Sequence, residues 1–307
     1  MNLKNKRVLV TGGAGFLGKY VIEELKKRKP KEIIVPLHGK FDLRNRVVCK
    51  KAVKGVDVVI HLAAQIGGIG FINGISGEIF YNNAVMGIEL MEASRQEGVK
   101  KFVSIGTVCE YPRITPLPFE EKYLWDGYPE ETTAPYGWAK KILIVQGRAY
   151  RKQYGFDSIH LLPVNLYGPK DNFNKKSAHV IPALIKRIIE SRDRGDKKVL
   201  VWGSGKATRE FLYVEDAARG IVLATEKYDG PCPINLGSGV ETSIEKVAKT
   251  IIKLSKFKGK IVWDKTKPDG QPRRRLDVSK AKQFGFKARV GLEEGLKKTI
   301  DWYEKNR

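Results

Sequence analysis

The chain has 307 residues, enough for one large core or two joined domains, and its 42% apolar and 30% charged residues are those of a soluble globular protein. No apolar run reaches bilayer-spanning length, and Met1-Asn2-Leu3-Lys4-Asn5-Lys6 enters a strand without a signal-peptide core, so no membrane partner and a cytoplasmic location are expected. The formal charge of +23 is read as a Lys-rich solvated surface that also attracts polyanionic ligands, with nucleic acid the less favoured partner.

Arg7–Thr11 is a β-branched run ending in glycine and predicts a buried strand. Gly12-Gly13-Ala14-Gly15-Phe16-Leu17-Gly18 follows, and residues 19–29 carry Tyr20, Val21, Ile22 and Leu25 in a helical pattern. Glycines at 12, 15 and 18 between a strand and a helix are the pattern of a dinucleotide site. Gly12 permits the tight turn, Gly15 the approach of a pyrophosphate, and Gly18 close helix–strand packing. The helix start offers N–H groups to the phosphates, which makes Gly12, Gly15, Phe16, Leu17 and Gly18 candidate cofactor contacts.

Residues 32–35 predict a second strand. NAD enzymes usually end this strand with an acid that holds the ribose 2′-hydroxyl. Here Pro36-Leu37-His38-Gly39-Lys40 has no acid before Asp42, so His38 and Lys40, with Arg44, fit the extra phosphate of NADP. NAD is the less favoured cofactor. Residues 57–62, 101–105 and 157–162 predict further strands, with helices over 83–96 and 136–154. The alternation predicts an α/β fold, a doubly wound parallel sheet covered on both faces.

Beyond Pro163 the pattern loosens, and residues 180–191, 244–254 and 292–303 predict helices between Pro- and Gly-bearing loops. The expected division is a dinucleotide-binding domain over 1–163, joined by part of 208–240, and a smaller C-terminal α/β substrate domain over 164–207 and 241–307. Cys49, Cys109 and Cys232 have neither disulfide-framework nor zinc-knuckle spacing, and no metal is expected.

Thr107-Val108-Cys109-Glu110-Tyr111-Pro112 precedes Tyr136-Gly137-Trp138-Ala139-Lys140. Tyr136 and Lys140 lie one helical turn apart on one face. The Lys charge is expected to lower the Tyr pKa, so that the phenol exchanges a proton with a sugar oxygen while hydride moves at carbon. Thr107 can hydrogen-bond the same oxygen. Such a hydroxyl followed by Tyr-x-x-x-Lys is the working set of the short-chain dehydrogenases, and the thiol of Cys109 adds a group able to move protons on carbon.

Nearly the whole chain resembles the GDP-L-fucose synthase family of extended short-chain dehydrogenases, which are GDP-4-keto-6-deoxy-mannose 3,5-epimerase/4-reductases. The segments that carry the resemblance are His61-Leu62-Ala63-Ala64, Cys109-Glu110-Tyr111-Pro112, Pro163-Val164-Asn165-Leu166-Tyr167-Gly168-Pro169, Ser177-Ala178-His179-Val180-Ile181-Pro182, Val201-Trp202-Gly203-Ser204-Gly205, Arg209-Glu210-Phe211-Leu212 and Lys267-Pro268-Asp269-Gly270. The resemblance implies a Rossmann fold, NADPH, a GDP-sugar substrate, and a homodimer through a four-helix bundle. It implies Cys109 as base and His179 as acid for epimerisation, with Thr107 and Tyr136 holding the enolate. Cofactor contacts would come from Leu62, Ala63, Ala64, Lys140, Pro163, Asn165, Leu166 and His179. Substrate contacts would come from Asn165, Arg187, Trp202, Arg209 and Asp277.

Thr107 stands where the family often has Ser and preserves the hydroxyl. Gly13-Ala14 replaces a basic residue that several relatives carry in the glycine loop. Val108, Glu110 and Trp138 are unusual neighbours of the motif residues, and altered pocket walls keep another GDP-sugar, such as a keto-heptose or dideoxy sugar, open as an alternative substrate. A 4,6-dehydratase would want acids directly after the hydroxyl, where Val108 and Cys109 stand. The alternatives kept open are a 4-reductase or an epimerase alone, and a non-enzymatic nucleotide- or RNA-binding protein on this fold.

Overall fold

The computed structural model describes residues 1–307 apart from residues 38, 175–176 and 268–269, and of Ile69 the backbone alone. The first half alternates strand and helix. β1 (Arg7–Thr11), α1 (Phe16–Lys26), β2 (Glu32–Ile34), α2 (Arg46–Val53) and β3 (Val58–His61) lead into α3 (Ile69–Gly74) and α4 (Ser76–Gln96). β4 (Lys101–Ile105), a short 3₁₀ turn over Val108–Glu110, α5 (Ala134–Tyr154) and β5 (Ser158–Pro163) complete it. These strands and a later one form a parallel six-stranded sheet in the order β2-β1-β3-β4-β5-β9. Its central strands are buried along their length, as a sheet covered on both faces requires.

At Val164 the chain leaves this sheet. β6 (Asn165–Tyr167), α6 (Val180–Asp193), β7 (Lys198–Trp202), β8 (Thr208–Tyr213), α7 (Val214–Lys227), β9 (Ile234–Leu236) and β10 (Glu241–Ser243) follow. α8 (Ile244–Ser255), β11 (Lys260–Asp264), α9 (Ser279–Gln283) and α10 (Leu292–Asn306) end the chain. β10, β8 and β6 form a three-stranded sheet, and β11 pairs with β7 in parallel.

Two large cores result. One joins the inner faces of β1, β3, β4 and β5 with Leu25, Ala217, Ile221 and Val222, and draws in Leu276, Ala281, Phe284 and Phe286 from the C-terminal stretch. The second gathers Ile181, Ile185 and Ile188 with Val199, Val247, Ile251, Leu296 and Ile300. α7 and β9 thus pack with the parallel sheet, and so do residues 276–286, which the division drawn at 241 had set in the other half. Their large apolar side chains find their cover on α7 and β9. No helix among the described residues is long and apolar enough to cross a membrane.

Candidate active site

The strand order reverses between β1 and β3, which places a crevice outside their carboxyl ends. The glycine loop leaves β1 there. Gly12 has φ +69°, and a Cβ on it would stand 2.8 Å from Ala63 N, so this loop lies directly on the Leu62–Ala63 backbone. A Cβ on Gly18 would meet Gly12 O at 2.2 Å, which seats α1 tightly on the turn. Gly15 caps α1 with no side-chain hydrogen bond and no acid in the first turn, so the leading N–H groups at Phe16 and Leu17 form a cradle for an anion. Below them the half-buried loop is pinned by Asn83, whose amide donates to Gln65 O and accepts from Gln65 N, each at 2.9 Å. The donor set fits the pyrophosphate of a dinucleotide.

The discriminating end of β2 is less complete. His38 lies outside the described residues. Lys40 is exposed in a turn. Arg44 is clasped by Asp42, its Nε 2.9 Å and an Nη 2.7 Å from the carboxylate, while its other Nη donates to Asn82 at 3.0 Å. The nearest acid is therefore already paired with Arg44.

The turn after β4 carries the next set. Thr107 caps the 3₁₀ turn, its Oγ1 accepting from Cys109 N at 3.2 Å. α5 packs against this turn so closely that a Cβ on Gly137 would stand 2.3 Å from Cys109 O. That contact brings Tyr136 and Lys140, on the same helix, beside Thr107 and Cys109. Lys140 Nζ donates to Ala63 O at 3.4 Å and so ties α5 to the glycine-loop edge. Tyr136 is buried against Ile72 and Ile79 and packs with Ala64 and Phe71.

Burial dominates the electrostatics. It pushes the Lys140 ammonium down to about 8, against a smaller opposing pull from Glu110. It pushes the Tyr136 phenol up, with the charges of Cys109 and Glu110 adding to the rise. The expected lowering of Tyr136 by Lys140 is thus overturned, because burial of the phenol dominates and the nearby Cys109 and Glu110 add to the rise. His179 precedes α6 and is half-buried, and burial lowers its imidazole below 6.5. Its segment reaches the site through Gly68, whose N–H donates to Ser177 O at 3.0 Å, and α3 begins there to cover Tyr136.

Asn165, at the start of β6, lies two residues beyond Pro163 at the end of β5, and its Nδ2 donates to Glu210 O at 3.3 Å. Leu166 packs onto the first core. Arg187 and Trp202 come together from α6 and β7. The Arg187 guanidinium sits 5.8 Å from the indole ring and donates to Leu200 O at 2.8 Å, and Lys267 lies 5.8 Å from the same ring. Trp202 is 61% exposed, an open platform for a planar base. Arg209 donates to Thr208 O and Gln271 O at 2.8 and 2.6 Å. Asp277 follows Leu276, whose N–H donates to Glu210 at 2.7 Å. The Asp277 carboxylate accepts from Ser279 at the start of α9 and its backbone accepts from Asn235, which makes it a local cap.

Three residues at this site were missed by sequence reasoning. Arg274 Nη1 lies 3.7 Å from the Cys109 sulfur, and only its place in the run Arg273-Arg274-Arg275 could have drawn notice. His160 meets Glu110 through one ring nitrogen and Ser104 through the other, behind the Cys109 turn, a contact between segments about fifty residues apart.

Residues 8–237 match the NAD dependent epimerase/dehydratase family. The chain is 36% identical over its full length to GDP-L-fucose synthase 1 of Arabidopsis thaliana, covering 95% of that protein. A GDP-L-fucose synthetase from Naegleria fowleri bound to NADP superposes at TM-score 0.91 and 32% identity over 100% of this chain and 95% of that one. A GDP-6-OMe-4-keto-L-xylo-heptose reductase from C. jejuni superposes at TM-score 0.92 and 26% identity over 99% of both chains. The chain belongs to the NAD dependent epimerase/dehydratase family, in the GDP-L-fucose synthase branch of the extended short-chain dehydrogenases.

Proposed function

We propose that this protein is an NADPH-dependent enzyme that epimerises a GDP-4-keto-6-deoxy-hexose at C3 and C5 and reduces it at C4, giving GDP-L-fucose or a close relative. The observation that carries the reading is the junction of α5 with the Thr107–Cys109 turn, which sets a thiol beside a reductase Tyr/Lys pair at the mouth of a dinucleotide crevice.

The C4 ketone acidifies the hydrogens on C3 and C5. At each carbon in turn, Cys109 as thiolate removes the proton from one face and the His179 imidazolium returns a proton to the opposite face. Burial lowers His179, so the imidazolium that returns the proton is populated only as pH falls below its ordinary range. Thr107 Oγ1 already accepts from Cys109 N, which leaves its own hydrogen for the substrate oxygen. The enolate is held by the hydroxyls of Thr107 and Tyr136, in the manner of an oxyanion hole. A phenol raised by burial stays protonated at neutral pH, as a donor to that oxygen must. Gly12, Gly15, Phe16, Leu17, Gly18, Ala63 and Lys140 would hold NADPH, which when bound supplies the hydride for C4. Tyr136 delivers the proton to O4. Arg187, Trp202 and Arg209 take the GDP end, the guanidiniums suiting the diphosphate and the indole the base.

The test is incubation with GDP-4-keto-6-deoxy-mannose in D₂O, with and without NADPH. Deuterium at C3 and C5 reports the proton chemistry, and loss of NADPH absorbance reports the hydride step. Cys109→Ser is expected to keep NADPH binding and to lose isotope incorporation by about 100-fold or more. Unchanged incorporation removes Cys109 as the base. The superposition on a C. jejuni heptose reductase supports a second reading, C4 reduction of a GDP-keto-heptose, which faster turnover of that sugar would establish.

The protein acts as a homodimer in the cytoplasm. Phe80, Tyr81, Ile142 and Val145 are 38–59% exposed on α4 and α5, and two such 21-residue helices meeting their symmetry mates make a four-helix bundle. Free Cys49, Cys109 and Cys232 suit a reducing compartment.

A further inference from the structure

Glu110 is a carboxylate with no exposed surface, one residue beyond the thiol, and the chemistry above gives it no task. Its Oε1 accepts from Thr107 N at 2.8 Å, closing the turn that carries both Thr107 and Cys109. Both of its oxygens lie 3.1 Å from His160 Nε2, on the adjacent strand β5. The other ring nitrogen of His160 lies 2.7 Å from Ser104 Oγ, a hydroxyl that also stands 3.2 Å from Ile159 O. Held at both nitrogens, the imidazole has one orientation. Glu110 accepts from His160 Nε2–H, so its side chain is fixed in turn.

Two further contacts show how closely the surroundings are fitted to it. A Cβ on Gly106 would stand 2.2 Å from both Glu110 Oε1 and His160 Nε2, so the pair occupies the space a side chain there would need. From the other side Lys141 Nζ, buried on α5, donates to Glu110 O at 3.3 Å and sits 4.7 and 4.8 Å from the Trp125 and Trp138 rings. The Cys109 turn is therefore gripped from behind by β4 and β5, through Ser104 and His160, and from the side by α5.

We infer that Glu110, braced by His160 and Ser104, is the positioning residue of the catalytic turn, holding the Thr107 hydroxyl and the Cys109 sulfur in register with Tyr136. The inference rests on the reading of Thr107 and Cys109 as reacting groups, yet the clamp itself can be measured without substrate. Misplacement of reacting groups by about 1 Å is worth on the order of 100-fold in rate, so a clamp of this kind acts on kcat rather than on nucleotide affinity.

The experiment compares Glu110→Ala, Glu110→Gln and His160→Gln with the parent protein. Amide hydrogen exchange at Thr107 is read by mass spectrometry, NADPH affinity by fluorescence, and kcat and KM with GDP-4-keto-6-deoxy-mannose. For Glu110→Ala the Thr107 amide is expected to exchange at least about tenfold faster, with kcat down on the order of 10- to 100-fold and NADPH affinity within about twofold. Glu110→Gln keeps an acceptor for Thr107 N–H and is expected to recover most of both losses. Parent-like exchange and kcat in Glu110→Ala overturn the inference, and so does a Gln variant no better than Ala. If Glu110→Ala no longer binds NADPH, His160→Gln decides. It removes the brace and leaves the carboxylate, and parent-like exchange there overturns the inference. If the parent turns over no GDP-keto sugar, the proposed function fails while the exchange comparison still judges the clamp.

Discussion

Lys140 and Tyr136 illustrate how burial reverses a simple charge argument. Four residues apart on α5, they read as a pair in which the cation eases the phenol's deprotonation. Buried together without ligands, each is pushed toward its neutral form, Lys140 down to about 8 and Tyr136 upward. The profile of kcat/KM for NADPH reports the free enzyme, so it is expected to fall above about pH 8 as Lys140 loses its proton. Lys140→Arg should carry that limb past about pH 10, since a guanidinium stays charged. A limb that does not move assigns the titration elsewhere. Linkage runs the same way. Between about 8 and the 10.5 of an ordinary lysine the unfolded chain binds the extra proton, so stability from this group rises with pH across that window. Tyr136 and Lys140 could be read as a pair because their spacing is local, whereas the role of Cys109 came from the family resemblance. The Glu110–His160 contact joins β5 to the turn after β4 across fifty residues, and no local period announces such a pair.

At the scale of elements, the parallel sheet was legible in its β-branched runs, while helix starts were not. α1 begins at Phe16 rather than 19, because extended Gly15 lets the helix open directly on the glycine loop. α4 begins at Ser76 rather than 83, since Asn82 and Asn83 break the apolar rhythm. Asn83 is in fact buried, and its amide is spent on Gln65 and Ile79 O. α2 and the three-residue strands β9 and β10 carried too few residues in any one pattern to be read, whereas the 14-residue α7 was missed although Val214, Ala217, Ala218, Ile221 and Val222 recur at helical spacing. The tight start of α1 has a consequence for the cofactor. A methyl on Gly18 would meet Gly12 O at 2.2 Å and Gly13 Cα at 2.5 Å, backbone atoms that cannot yield without moving the loop. Gly18→Ala should therefore weaken NADPH binding by about tenfold or more, as measured by fluorescence titration. Parent-like affinity would mean that the loop takes up the methyl elsewhere and that this contact does not shape the phosphate cradle.

For the molecule as a whole, α5 has two working faces. Tyr136, Lys140 and Leu143 turn inward to the crevice and the sheet, while Ile142 and Val145 remain 38% and 53% exposed. Phe80, Trp125 and Trp138 join the exposed pair around a groove of about 300 Å³. Contiguous apolar surface of this kind supports the proposed interface, and its place on two adjacent long helices fits a twofold partner of the same chain. Ile142→Glu with Val145→Asp would set two like charges in each copy, four across the twofold axis, where desolvation leaves them without partners. Sedimentation should then move from twice the 34.6 kDa chain mass to the single mass. Because neither substitution touches the inward face, NADPH affinity is expected to stay within about threefold. A parent protein that sediments as a single chain at micromolar concentration would refute the bundle outright. A double variant that still sediments as a dimer would shift the interface to another face.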